Sequence, residues 1–143
     1  MKTDLEIISV ISDSAKKLGA CNLIDSATNL ESLTKLIFTP QGMEFCYNHK
    51  FPSLQTLRNL KDKVKEYSYY IDEKITLTDP QNIVIAGDSF AELNFSDNTK
   101  VHKIILMHGA NANIKANNYT VLRIIKIGNC NISIVTDKTA IIL

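Results

Sequence analysis

Cys46 and His49 lie three residues apart. On a helix that spacing puts a thiol and an imidazole on one face, where they could act as nucleophile and base. No Asp or Asn is placed to orient the imidazole, and Phe45 and Tyr47 flank the thiol, so a core role is the plainer reading of Cys46. His102 and His108 are six apart and would share one face of a regular strand, yet a third metal ligand at suitable spacing is missing. The carboxylates Asp72, Glu73, Asp88, Glu92 and Asp97 are scattered, and Asp97 and Asp137 stand beside turn-forming residues, where Asp bonds local backbone. Gly42, Gly87, Gly109 and Gly128 are isolated, so no phosphate-cradling loop is expected. These patterns predict no catalytic residue, no metal site and no cofactor; the chain is expected not to be an enzyme.

Arg58, Lys61, Lys63 and Lys65 form a basic cluster, with Tyr67, Tyr69 and Tyr70 just beyond. Cations beside aromatic rings could follow a nucleic-acid backbone and stack bases. Asp62 and Glu66 dilute the cluster, and a solvated hinge explains it more simply. Nucleic acid is therefore the secondary reading. The whole chain supports that ranking: 16 Lys and Arg against 15 Asp and Glu leave a formal charge of +1, which gives no electrostatic pull on a polyanion.

With 143 residues, 45 % hydrophobic and 22 % charged, the chain can bury a real core. Cys21, Cys46 and Cys130 are far apart and odd in number, as expected for reduced thiols rather than a disulfide framework or a paired-cysteine zinc site. Asp4 and Glu6 interrupt the apolar opening stretch, unlike a secretory signal, and no apolar run reaches membrane-spanning length. A cytoplasmic protein without membrane contact is the expectation.

The elements divide near residue 66. Residues 1–66 read as a helical head. Thr3, Asp4, Leu5 and Glu6 form a capping box, and Ile7, Ile8, Ile11, Ala15 and Leu18 follow on one face of a helix running to Leu18, with Gly19 as its stop. Thr28, Asn29, Leu30 and Glu31 repeat the box, and Thr39-Pro40 opens a helix through Tyr47. Leu54, Leu57 and Leu60 mark one more. From residue 67 to 143 the chain reads as a β-repeat tail. Asn supplies nine of residues 80–143 but four of residues 1–79, and Asn suits turns and positive φ.

Turn markers at Gly87, Asp97, His108, Asn118, Gly128 and Asp137 recur at steps of 10, 11, 10, 10 and 9. Between them apolar and polar residues alternate, as at Ala91, Leu93 and Phe95. Apolar residues also recur every 20: Ile85, Ile105 and Ile125; Val101, Val121 and Ile141; Met107 and Ile127; Ala112 and Ile132; Ile114 and Ile134. Two ten-residue segments per turn would stack like on like. The predicted fold is α+β: short N-terminal helices followed by a small β-solenoid or β-roll, with an antiparallel meander as the alternative.

The run Phe38-Thr39-Pro40-Gln41-Gly42-Met43-Glu44-Phe45-Cys46, then Phe51-Pro52-Ser53-Leu54, Tyr70-Ile71-Asp72 and Ile75-Thr76-Leu77, resembles a family of small uncharacterised Bacteroidetes proteins of the prophage and mobile-element kind. In them a helical head precedes an Asn/Gly-punctuated β tail. The resemblance covers most of the chain from about residue 30 and implies a mobile-element or phage-related accessory protein; it carries no catalytic residues. Together with the pattern of the tail, it points to a non-catalytic interaction or structural module presenting a rigid β surface to an unidentified protein partner. The apolar run Ala140, Ile141, Ile142 and Leu143 adds self-association, expected as a homodimer through the C-terminal β end; the alternative is a monomer in which those residues fold inward.

The first cap generates a direct test. Thr3→Ala is expected to cost about 1 kcal/mol, read from far-ultraviolet thermal melts; an unchanged melt would place the helix start elsewhere.

Overall fold

A computed structural model describes residues 3–143, apart from the side chains of Asn22 and Leu23. The chain folds into two compact units, divided between Ser53 and Leu54. The change from helix to strand falls later, so the helix beginning at Leu54 belongs to the β-rich unit.

In the first unit, α1 spans Asp4–Lys17. The Thr3 hydroxyl accepts from the Glu6 amide at 3.2 Å. Asp4 and Glu6 in the first turn and Lys16 and Lys17 in the last complement the helix dipole. The stop is a Schellman turn: the Ala20 amide donates to the Ala15 carbonyl and the Gly19 amide to that of Lys16, with Gly19 at φ +92°. Ile7, Ile8 and Ala15 are buried as expected, but Leu18 is exposed, because it is the C-cap and has left the helical periodicity. The second cap also differs from expectation. Asn29, rather than Thr28, caps α2 (Leu30–Lys35), and Ser32, rather than Glu31, answers it. Asn29 Oδ1 accepts from the Ser32 amide at 2.7 Å while Ser32 Oγ accepts from the Asn29 amide at 3.1 Å. Thr39 caps α3 (Pro40–His49), which runs two residues beyond Tyr47 and ends at the left-handed Lys50. A Cβ on Gly42 would sit 1.8 Å from the Leu36 carbonyl oxygen, so that approach requires glycine.

The second unit opens with α4 (Leu54–Val64), which packs against the first strand. Nine strands follow: β1 Tyr69–Ile71, β2 Lys74–Thr78, β3 Asn82–Ala86, β4 Phe90–Phe95, β5 Val101–Met107, β6 Asn111–Ala116, β7 Val121–Ile127, β8 Asn131–Thr136 and β9 Ile141–Ile142. Odd strands form one sheet, β1-β3-β5-β7-β9, and even strands the other, β2-β4-β6-β8; every pairing is parallel. Chain-adjacent strands therefore never pair, which excludes the meander. The tail is a two-sheet β-solenoid in which each strand bonds to its equivalent in the next coil.

The 20-residue register holds from β5 onward: Val101 pairs with Val121, which pairs with Ile141, and Ile105 with Ile125, Ala112 with Ile132 and Ile114 with Ile134. One coil earlier the step is 21, since Val84 pairs with Ile105 and Ile85 with Leu106. The expected Ile85, Ile105 and Ile125 column is thus wrong at its first member. The column is Tyr69, Val84, Ile105 and Ile125, and Ile85 points into the core beside Leu106. The cause is loop length. Residues 96–100 connect β4 to β5 with five residues, whereas residues 117–120 connect β6 to β7 with four. One added residue shifts the pairing by one and exchanges faces.

Ile83, Ile85, Leu93, Phe95, Ile104, Leu106, Ile114 and Leu122 fill the interior with Ala91, Ala110, Ala112 and Ala116 between them. Alternating large and small residues keeps two close sheets interlocked. The odd-strand sheet is buried on its other face too, at Ile71, Val84, Ala86, Ile105, Met107 and Ile127. The even-strand sheet turns Lys74, Thr76, Thr78, Glu92, Asn113, Lys115 and Ser133 to solvent. Positive φ at Asp72, Gly87, His108, Gly109, Asn118, Gly128 and Lys138 turns the corners, where the marker residues recur.

Among the described residues two buried side-chain oxygens lack a hydrogen-bond partner, Glu73 Oε2 and the Thr120 hydroxyl. Thr120 is fully buried and its hydroxyl has no hydrogen-bond partner. Thr120→Val keeps the shape and removes the orphan group, so it is expected to stabilise the protein by about 1–3 kcal/mol. A raised denaturant midpoint at unchanged slope is the expected result; a lowered midpoint would show that the hydroxyl is satisfied.

Candidate functional site

The corner joining β1 to β2 is fastened by ion pairs. Asp72 takes a left-handed conformation, φ 54°. Arg58 on α4 grips its carboxylate with two bonds, Nε to Oδ2 at 2.7 Å and Nη2 to Oδ1 at 3.1 Å. The Asp88 amide donates to the same Oδ1 at 2.8 Å, and a Cβ on Gly87 would sit 2.3 Å from that oxygen. The Arg58 bond holds the Asp72 carboxyl below its ordinary value. Beside it Lys65 Nζ meets Glu73 Oε1 at 2.7 Å, and Ser89 Oγ accepts from the Glu73 amide while donating to the Ala86 carbonyl.

This corner decides where the basic and aromatic residues go. Arg58 and Lys65 spend their charge on Asp72 and Glu73, Tyr69 is buried, and Tyr67, Lys61 and Lys63 are half-buried. Arg58 and Lys65 thereby tie α4 and the turn after it to the first coil. Sequence spacing missed this because Asp72 lies 14 residues beyond Arg58.

The opposite corners are built from Asp, Asn and Thr. Asp79 Oδ1 accepts from the amides of Ser96 at 2.7 Å and Asp97 at 3.0 Å, one coil on. Asp97 Oδ1 accepts from the Thr99 amide and hydroxyl, and Asp137 Oδ1 does the same with Thr139. Asp137 Oδ2 also accepts from the Asn118 amide at 3.1 Å. The Asn118 side chain donates to the Ser96 carbonyl, and that of Asn98 to the Asn118 carbonyl. These bonds run from coil to coil. The Thr99 and Thr139 hydroxyls lower the carboxyls of Asp97 and Asp137; burial opposes the shift at Asp79, where the two amides outweigh it.

The histidines and the thiol are dispersed. His102 is fully buried beside the Phe95 ring, its ring nitrogens 2.8 Å from the Pro80 carbonyl and 2.9 Å from that of Asp97. His108 has left the strand for a left-handed turn, so the two do not share a strand face. Among the described residues no group of three His, Cys, Asp or Glu could hold a metal ion. Cys46 is buried, which pushes its thiol up to about 12, while His49 is exposed and its ring packs on Phe45. A thiol so placed stays protonated and is a poor nucleophile.

The last coil differs from all the others. Among the described residues of the β-rich unit the exposed large apolar side chains are Val101, Tyr119, Ile134, Val135, Ile141, Ile142 and Leu143. Five of these seven lie on the last coil, where Val135 is 62 % and Leu143 61 % exposed. Ala140 alone of the C-terminal four packs partly against the core. β8 pairs with β6 on one side, and no described strand covers its other side. It carries no charge and no proline.

No protein-family model, no curated protein and no solved structure matches this chain. No described helix is long and apolar enough to cross a membrane.

The corner carboxylates set a pH limit. Asp72, Asp79, Asp97 and Asp137 all sit below their ordinary 3.8 in the folded chain. Their stabilisation is complete above that value and is lost as pH falls through the depressed folded values. Denaturant unfolding is expected to show stability falling from about pH 4 towards pH 2, with a shallower fall in Asp72→Asn. An identical acid limb in that variant would remove Asp72 from the account.

Proposed function

We propose that this protein is a non-catalytic structural or interaction module. It presents a rigid β surface and self-associates as a homodimer through the last coil of its solenoid. The observation that carries the reading is the placement of exposed apolar side chains on the last coil: Ile134 and Val135 on the edge strand β8, and Ile141, Ile142 and Leu143 on and after the edge strand β9 of the other sheet. A solenoid coil stacks on whatever continues its sheets, and an uncharged edge strand invites that pairing. Several polar residues capable of chemistry are engaged in holding the fold. Asp72, Asp79, Asp97 and Asp137 hold corners, Arg58 and Lys65 hold α4, and Cys46 is a buried thiol.

The resemblance in the segments around Phe38–Cys46 and Tyr70–Leu77 supports a role as an accessory protein of a mobile element. The three free cysteines suit a reducing compartment such as the cytoplasm.

Light scattering on the intact chain at high micromolar concentration is expected to return a dimer mass. Val135→Lys puts a charge on an exposed position of the edge without touching the core, and is expected to return the monomer. A monomer mass for the well-folded parent chain would overturn the reading.

A further inference from the structure

His102 is fully buried on β5, two and four residues before the inward Ile104 and Leu106. One coil on, its register partner is Leu122, also fully buried. A leucine thus satisfies the packing of this row, so the imidazole answers another need. Its Nδ1 lies 2.8 Å from the Pro80 carbonyl oxygen and its Nε2 2.9 Å from that of Asp97. Pro80 follows β2 and Asp97 follows β4, so the ring spans corners of two successive coils. We propose that His102 is a proton-operated latch: with both ring nitrogens protonated it ties these two corners together, and with one proton gone it lets go of one of them.

The argument is a count of donors. A carbonyl oxygen only accepts. A neutral imidazole has one N–H and one lone pair, so it satisfies one of these carbonyls and sets its lone pair against the other. The imidazolium has two N–H groups and satisfies both. A cation in the interior is costly unless it is hydrogen-bonded and paired. Here both bonds are charge-assisted, and the same two corners carry the carboxylates of Asp79 and Asp97. Burial raises the Asp79 carboxyl, and the Asp97 and Ser96 amides and then the charge of His102 lower it; at Asp97 the bonds from Thr99 lead, and Lys100 and His102 add to them. Lys100, its Nζ 3.7 Å from Asp97 Oδ2, is a like charge in the same loop. Phe95 on β4, its ring centroid 4.9 Å away, and Leu122 on β7 bring no charge.

The sign of the effect follows. The folded chain holds the second proton through two bonds that the unfolded chain lacks. The stability this contributes is complete on the acid side and is lost as pH rises through the range in which the folded ring gives the proton up. That is the reverse of the acid limb set by the corner carboxylates.

Long-range proton–nitrogen correlation spectra of the imidazole rings in the full chain, followed from about pH 5 to about pH 9, test this. His49→Gln and His108→Asn remove the other two sets of ring signals and so identify those of His102. Both ring nitrogens of His102 are expected to carry a proton in the folded chain at a pH where the same ring in the urea-unfolded chain carries one. Urea unfolding supplies a second readout. The parent midpoint is expected to fall as pH rises across that range, and to fall less in His102→Gln, which has no proton to lose. A His102 ring with a single proton throughout the range would overturn the latch, and so would equal pH slopes in parent and variant. Should His102→Gln not fold, the ring signals of the parent chain decide the question alone.

Discussion

Parallel hydrogen bonding between successive coils is the interaction on which the β-rich unit depends. A strand here has no partner within its own coil, because its chain neighbours lie in the other sheet. Backbone satisfaction and apolar burial therefore come from the same act of stacking. Each inward Ile or Leu contributes about 1.5–3 kcal/mol only when the coils above and below close over it. A coil alone would expose its N–H groups, its carbonyls and its inner row together. The interior is also thin, which is why Ala91, Ala110, Ala112 and Ala116 are buried among larger residues. A larger side chain there would push two sheets apart along their whole length.

Corners are the second demand, and they account for most of the polar chemistry. A turn between sheets needs positive φ and leaves amides pointing out of the strands. Asn, Asp and Gly supply the conformation. The carboxylates of Asp79, Asp97 and Asp137 then collect the stray amides, two of them across to the neighbouring coil. Residues that look available for acid–base work in the sequence are thus acceptors in a structural ladder. His102 belongs to the same corner: buried under Phe95, it bridges the carbonyls of Pro80 and Asp97.

What the sequence made legible was the local and the repetitive. The Thr3 and Thr39 caps, the Gly19 stop and the marker spacing each rest on a few adjacent residues. The 20-residue recurrence rests on simple repetition, and it separated solenoid from meander. Features set by distant partners were not legible. The slip at Ile85 comes from one extra residue between 96 and 100, which periodicity alone cannot assign to a loop. Asn29 displaced Thr28 because its side-chain carbonyl reaches the Ser32 amide. The basic run from Arg58 to Lys65 looked like a charged surface because its acceptors, Asp72 and Glu73, lie across the first turn of the solenoid. The open edge of β8 was foreshadowed by apolar residues at 140–143, yet its most exposed member, Val135, was not singled out, since it alternates with the polar Thr136 like any strand residue.

The two ends of the solenoid are chemically unlike, and this bears on the proposed association. At the first coil β1 has only three residues, the corner carries Asp72 and Glu73 in ion pairs, α4 lies against β1, and β2 begins with the exposed Lys74. Short length, charge and a covering helix are the devices that blunt an edge against pairing. At the last coil β8 offers six uncharged residues with apolar neighbours. Joining last coil to first would set that apolar edge against charges already committed to their own partners. It would also leave an identical edge open on the next copy, so that growth would not stop. In the proposed pair, joining last coil to last coil would use the uncharged edge of β8 and leave the blunted first coils outside. The asymmetry between the ends fits the proposed closed pair better than a fibre, and the fastening of α4 to the first coil bears on that proposal as directly as the apolar residues of the last.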